Sequence, residues 1–296
     1  MHSLIPMINH GYQRVHCLRH LEKVDSNTPT GDRACYLYID TQSLNNTLSA
    51  ITSSPIPSAS VQLQITAVPV DSGTAVGYGL SWRFFGLAAF LVSIPVFIQA
   101  PLVRQWPWIS LVLTLGWIAL GVALYRRPST TLYGDLILGF TWSWFAGSIY
   151  WGWFRWEPFI HLPIEAIGVP FAIWALVQRR YVVGMLFYLG SLWGTAITDG
   201  YFYLLNLIPY WRQVMQVEVK ESVPILQTAL GQIQNYSGAF WAGMLVLVLC
   251  VTGLLPLVSR SVRSGCRDGL HWWGFMGAVL STLLVDGLFW IAVRFA

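Results

Sequence analysis

The chain has 296 residues, of which 55% are hydrophobic and only 10% charged, with a formal net charge of +4. An ordinary soluble domain carries about 25% charged residues, so this balance excludes most soluble folds. No Lys/Arg run accompanies an aromatic stripe, which leaves nucleic-acid binding without a basis.

Residues 1–80 differ from everything after them. They are rich in Ser, Thr, Asn, Gln and Pro, as in Ser53-Ser54-Pro55-Ile56-Pro57-Ser58, and show no sustained periodicity. That composition predicts a polar, disordered leader. A secretory pattern is absent, and Glu22, Asp25, Asp32 and Asp40 argue against a transit peptide. His10, His16, Cys17, His20 and Cys35 are scattered, so no metal site is expected. The four cysteines, Cys17, Cys35, Cys250 and Cys266, form no C-x-x-C pair. A second reading of the leader is a start codon placed too early. No Met lies between Met7 and Met185, so a start near Val76 would need another initiation codon.

From about residue 82 to 296 the chain reads as a transmembrane helical domain. A helix needs about 20 apolar residues to cross the hydrocarbon, with every backbone group bonded internally. Seven segments qualify: Phe84–Val103, Pro107–Tyr125, Leu136–Phe154, Pro158–Val177, Tyr181–Asn206, Ser237–Val258 and Leu270–Arg294. The expected fold is thus all-α, a polytopic bundle of about seven spans. The fifth segment reads either as one long helix or as a shorter span with a re-entrant turn at Asp199-Gly200.

Orientation follows the Lys/Arg bias of short loops. Arg83, Arg126, Arg127, Arg179, Arg180, Arg260, Arg263 and Arg267 fall on one side. Arg104, Arg155, Arg212, Lys220 and Arg294 fall on the other. The bias predicts a cytoplasmic N-terminus.

The less positive side brings Trp beside Arg in three loops. They hold Arg104 and Trp106, then Arg155 and Trp156, then Trp211 and Arg212. Guanidinium stacks on indole and forks onto phosphate or carboxylate, so this face is a candidate site for a lipid head group or an anionic pigment tail. The competing reading is an aromatic belt with snorkelling arginines. Beyond the third loop, Ser222 is placed to cap a short helix with Leu226, Leu230 and Ile233 on one face. Such a helix would lie on the membrane or fold over the face as a lid.

Ionisable groups inside a span cost several kcal/mol and are usually paired or functional. His161 and Glu165 are four residues apart and share a helix face, with Glu157 one turn earlier. With Asp199 and Asp286 they form the candidate intramembrane cluster. It would relay a proton, hold a ligand or tie helices together. His161 alone would also suffice to ligate a tetrapyrrole metal. Asp135 is read as capping the start of its own span, and His271 as interfacial. The third span alternates small and aromatic residues from Gly139 to Trp153, which suits close helix packing or a flat conjugated ligand.

Three blocks carry a resemblance: Leu91–Arg104, the third-to-fourth-span stretch ending Glu165-Ala166-Ile167-Gly168, and Phe187–Ser191 through Ile208–Gln213. Over about residues 82–294 the chain resembles an uncharacterised family of cyanobacterial multi-pass membrane proteins, a domain of unknown function. The resemblance implies an oxygenic phototroph and a plasma or thylakoid membrane, and it carries over no catalytic residue.

The leading functional reading is an accessory or assembly protein that binds lipid, pigment or a membrane-protein partner within the bilayer. No cofactor is specified by the residues. The rival class is a proton-coupled transporter or intramembrane enzyme using His161, Glu165, Asp199 and Asp286. The sequence lacks a P-loop Gly-Lys-Ser/Thr, a G-x-S-x-G and an H-E-x-x-H, which removes the commonest enzymatic motifs.

Overall fold

The computed structural model describes residues 73–259, Val262 and 269–295, with side chains from residue 79 onward except that of Val219. Most of the leader and its His and Cys residues lie outside the described residues, as do Arg260, Arg263, Cys266 and Arg267. Every regular element among the described residues is helical.

Helix α1, Gly73–Ile94, begins earlier than the apolar run implies. It passes through a π turn, Pro95–Gln99, into α2, Ala100–Gln105. Pro107 then opens α3, Pro107–Tyr125, at a position where its missing N–H costs nothing. Helix α4 runs Thr131–Ile149 and continues as a π turn, Tyr150–Phe154.

The fourth span is broken rather than continuous. A 3-10 turn, Pro158–Ile160, leads into the short α5, His161–Glu165. A second 3-10 turn, Ala166–Gly168, then leads into α6, Val169–Val177. The cause is local. Pro163 and Pro170 have no N–H for the carbonyls of Phe159 and Ala166, the residues where helical winding tightens. Non-helical backbone at membrane depth is tolerated where protein covers it or where it lines a cavity.

The fifth span is one helix, α7, Val182–Leu204, with no break at Asp199-Gly200. The chain after it is helical too. The segment read as a Trp/Arg loop forms α8, Ile208–Gln216, because Pro209 sits in its first turn where proline is permitted. Helix α9, Val219–Ile233, starts before Ser222, so Ser222 is not its cap; Glu218 occupies that position. Helices α10, Tyr236–Leu254, and α11, Leu270–Phe295, complete the bundle.

Among the described residues, six segments are long and apolar enough to cross a membrane. The one missing from the expected seven is α4 with its π turn. Its length suffices, but its Gly, Ser and Thr content reflects its place at the centre of the bundle. There it touches protein on more sides than lipid: Leu136, Phe140, Trp144, Ala146 and Tyr150 are all buried.

Four helices form a ring. Helix α1 packs on α11, α11 on α7, α7 on α4, and α4 returns to the π turn that ends α1. Inside lie Phe84, Ala88 and Leu91 of α1, with Phe140 and Trp144 of α4, Phe187 of α7 and Met276 of α11. Helix α3 flanks α4, α6 flanks α7, and α10 flanks both α11 and α7.

Glycine sets the closest crossing. A Cβ on Gly139 would lie 2.0 Å from the Gly184 carbonyl oxygen, and one on Gly184 would lie 2.1 Å from the Asp135 carbonyl oxygen. Helices α4 and α7 therefore touch backbone to backbone. At that crossing Asp135 does cap a helix, but not its own. It sits in the second turn of α4, and its carboxylate accepts from the N–H groups of Val183 and Gly184, each at 3.1 Å. Those donors belong to the unsatisfied first turn of α7. A buried carboxylate thus satisfies a neighbour's helix end.

Candidate functional site

Helix α5 holds His161 buried at the edge of the ring, and α7 brings Asp199 to it. The imidazole Nδ1 lies 2.9 Å from Asp199 Oδ2 and 3.2 Å from Oδ1. Where the Asp199 carboxylate is ionised it only accepts, and Nδ1 is then the donor. On the other edge of the imidazole, Nε2 lies 3.2 Å from Glu165 Oε1. That is ion-pair distance, yet the angle forms no hydrogen bond, and Nε2 stays buried without one. An imidazole lone pair and a carboxylate oxygen repel each other at this separation unless one of them holds a proton. Asp199, His161 and Glu165 thus form one polar group within the fourth span, two carboxylates on opposite edges of one imidazole.

Aromatic rings wall the site. Tyr150 stacks on His161 with ring centres 4.0 Å apart, and Trp151 meets it edge-on at 6.1 Å. Tyr203 donates to the Pro158 carbonyl, and Tyr188 donates to the Glu165 carbonyl. Both bonds use carbonyls within the irregular fourth span and hold it against α7.

The expected five-residue cluster divides. His161, Glu165 and Asp199 come together. Glu157 instead pairs with Arg212 of α8, at 2.9 and 3.0 Å from its two carboxylate oxygens. With Arg212 exposed and Glu157 partly exposed, the pair is worth about 1 kcal/mol or less. Asp286 accepts from Thr198 at 2.8 Å, next door to Asp199 on α7 but not on His161.

The Trp/Arg loops converge over the same end of the bundle. Trp211 donates to the Arg155 carbonyl at 2.9 Å, and the Tyr150 hydroxyl reaches the same oxygen at 3.4 Å. Arg104 donates to the Val217 carbonyl at the end of α8, at 2.9 Å. The indoles of Trp151 and Trp211 lie 5.7 Å apart. Trp106 and Trp156 point outward and are about half exposed. Arg155 has its Nε buried with no acceptor. Burial, and then the nearby Arg104 guanidinium, press the Arg155 pKa below its ordinary value. The face and the intramembrane site, separate features in the sequence, are thus joined through Tyr150. It touches His161 with its ring and Arg155 with its hydroxyl.

A second polar node escaped the sequence reading. Gln99, fully buried at the end of the first π turn, donates through Nε2 to Ser148 Oγ at 2.9 Å and to the Trp144 carbonyl at 2.6 Å. Ser110 and Ser148 share a hydrogen bond at 2.8 Å. The visible signal was an amide inside an apolar span just after Pro95. A search confined to ionisable residues passes over it.

Fold and site together define a polytopic α-helical membrane protein with a buried polar group inside one broken span. Over residues 88–294 the chain matches the family described as "Protein of unknown function (DUF3120)", and it belongs to that family. No curated protein and no solved structure matches it.

Proposed function

We propose that the chain is an accessory protein of its membrane that holds an anionic amphiphile at the face formed by Arg104 and Arg155, above His161. The observation that carries this reading is the Arg155 guanidinium: partly buried, close to Arg104, with one terminal nitrogen on the Trp151 carbonyl at 3.4 Å and its Nε lacking an acceptor. A phosphate or carboxylate bridging two such cations relieves their repulsion and supplies charge-assisted hydrogen bonds. The apolar remainder, a lipid or pigment tail, would lie along the exposed Trp106 and Trp156. The family resemblance extends the reading to the plasma or thylakoid membrane of a phototroph.

The test is extraction of lipid and pigment from the gently purified chain and from a double variant, Arg104→Gln with Arg155→Gln. An anionic amphiphile should accompany the wild type and drop at least fivefold in the variant at equal abundance, since each interfacial arginine is worth about 1 kcal/mol to an anionic head group. Equal recovery from both proteins would refute it.

A second reading, a proton-coupled transporter or intramembrane enzyme, draws support from the position of the site. His161 and Glu165 sit on a discontinuous span, the kind of helix that lines binding sites in transporters. Proton-coupled uptake in liposomes that disappears in Asp199→Asn would favour it over the first.

The Lys/Arg bias of the loops would put the Trp/Arg face away from the cytoplasm. In a variant whose only cysteine is Cys266, a membrane-impermeant thiol reagent should react from the cytoplasmic side. A lone cysteine placed at Gln213 should resist it. Equal labelling of the two positions in sealed membranes would reverse or abolish the proposed orientation.

A further inference from the structure

Helices α3, α4, α6 and the start of α7 line a recess of ≈ 790 Å³. Its long wall is the α3 stripe Leu111, Leu115, Ile118 and Val122, which spans roughly 16 Å at 1.5 Å per residue. The opposite wall is aromatic. Trp142 lies 5.4 Å from Phe171, which lies 5.5 Å from Trp174 and 6.4 Å from Tyr181. Arg180 lines the end where α6 gives way to α7. The loops at that end also carry Arg126, Arg127 and Arg179.

One polar atom interrupts the apolar walls. Thr114 is buried, lines the recess, and has a hydroxyl without a partner. A helical threonine normally bonds back to the carbonyl four residues earlier. Here that carbonyl belongs to Ser110 and already accepts from the Trp144 indole at 2.9 Å. The protein therefore leaves a buried hydroxyl without a partner in the wall of the recess.

We infer that this recess is a lipid site: it takes one hydrocarbon chain of an anionic lipid, whose head group rests on Arg180. Three features separate it from ordinary contact with the bilayer. It is recessed between helices, where a chain is held by rings on one side and branched aliphatics on the other. It ends on a cation at the interface, which gives the occupant a direction. It also contains an unmet hydroxyl, which a surface made only for bulk lipid does not need. The inference is independent of the reading placed on Arg104 and Arg155, because the two sites use different helices and open toward opposite membrane surfaces.

The experiment titrates the full-length chain, in mild detergent, with phosphatidylglycerol whose acyl chains carry bromine, and follows quenching of tryptophan fluorescence. Saturable quenching is expected, weaker with brominated phosphatidylcholine. Arg180→Gln should reduce the phosphatidylglycerol affinity about fivefold, the worth of one interfacial arginine to an anionic head group. Arg127→Gln should leave it unchanged. Trp174→Phe, which keeps a ring against Phe171, should remove part of the quenching without changing affinity. Equal affinity for the two lipids, an unaltered Arg180→Gln protein, or quenching undiminished in Trp174→Phe would each overturn the inference. So would a recess filled in the purified protein by a neutral pigment or by a second copy of the chain.

Discussion

His161→Ala should lower the stability of the membrane domain by about 3 kcal/mol, the low end of the cost of removing one partner from a buried ion pair. The low end applies because Asp199 and Glu165 keep 15% and 17% of their side-chain surface exposed. Without the imidazole, two carboxylates face one small cavity with no donor between them, and water repays only part of their lost solvation. The three single substitutions should therefore rank. Asp199→Asn leaves an amide oxygen able to accept from Nδ1 and costs about 1 kcal/mol. Glu165→Gln costs least, because its contact with Nε2 lacks hydrogen-bond geometry. Unfolding midpoints of the purified variants check the order, and a His161→Ala protein as stable as wild type would sink it. Membrane abundance and phenotype, measured side by side, then separate the two roles of the site. A structural tie alone predicts that Glu165→Gln keeps both. A working charge predicts normal abundance with activity lost.

Gly139→Val should prevent the domain from accumulating. The first added carbon meets the Gly184 carbonyl oxygen at 2.0 Å, and that obstacle is backbone rather than a side chain able to turn aside. Overpacking a close-packed site costs about 1–3 kcal/mol and more where backbone must move. Separating α4 from α7 also strips Val183 and Gly184 of the Asp135 carboxylate, worth about 1 kcal/mol as a helix cap. It leaves that carboxylate buried without donors, for about a further 1–3 kcal/mol. Gly116→Ala is the control. A Cβ there meets nothing within 4 Å, and alanine is favoured over glycine in a helix by about 1 kcal/mol. Abundance in isolated membranes and unfolding in detergent should show loss for Gly139→Val and no loss for Gly116→Ala. Parity between the two would mean that α4 and α7 do not cross where the glycines put them.

The helices themselves were legible because membrane insertion is a local criterion. A run such as Pro107–Tyr125 is apolar along its whole length, and nothing elsewhere in the chain is needed to read it. The i, i+4 relation of His161 and Glu165 was legible for the same reason: helical geometry alone puts them on one face. The break at α5 has a local cause as well, in Pro163 and Pro170, but hydropathy does not register it. Helix α8 reads as a loop because Pro209 and Arg212 interrupt the apolar pattern there, although a proline in the first turn is no obstacle to a helix.

The amino-acid sequence by itself determined an all-helical membrane domain, the approximate span limits, and a small set of polar residues that the bilayer would not tolerate unpaired. Only the tertiary structure decided which of them pair. Asp199 reaches His161 across 38 residues of chain, Glu157 goes to Arg212, and Asp135 caps a helix to which it does not belong. The reason is physical. Hydropathy and helical period are properties of one segment, whereas lateral order among helices rests on where small residues let backbones touch. Those contacts at Gly139 and Gly184 leave almost no trace in hydropathy, yet they set which faces meet, and with them the site.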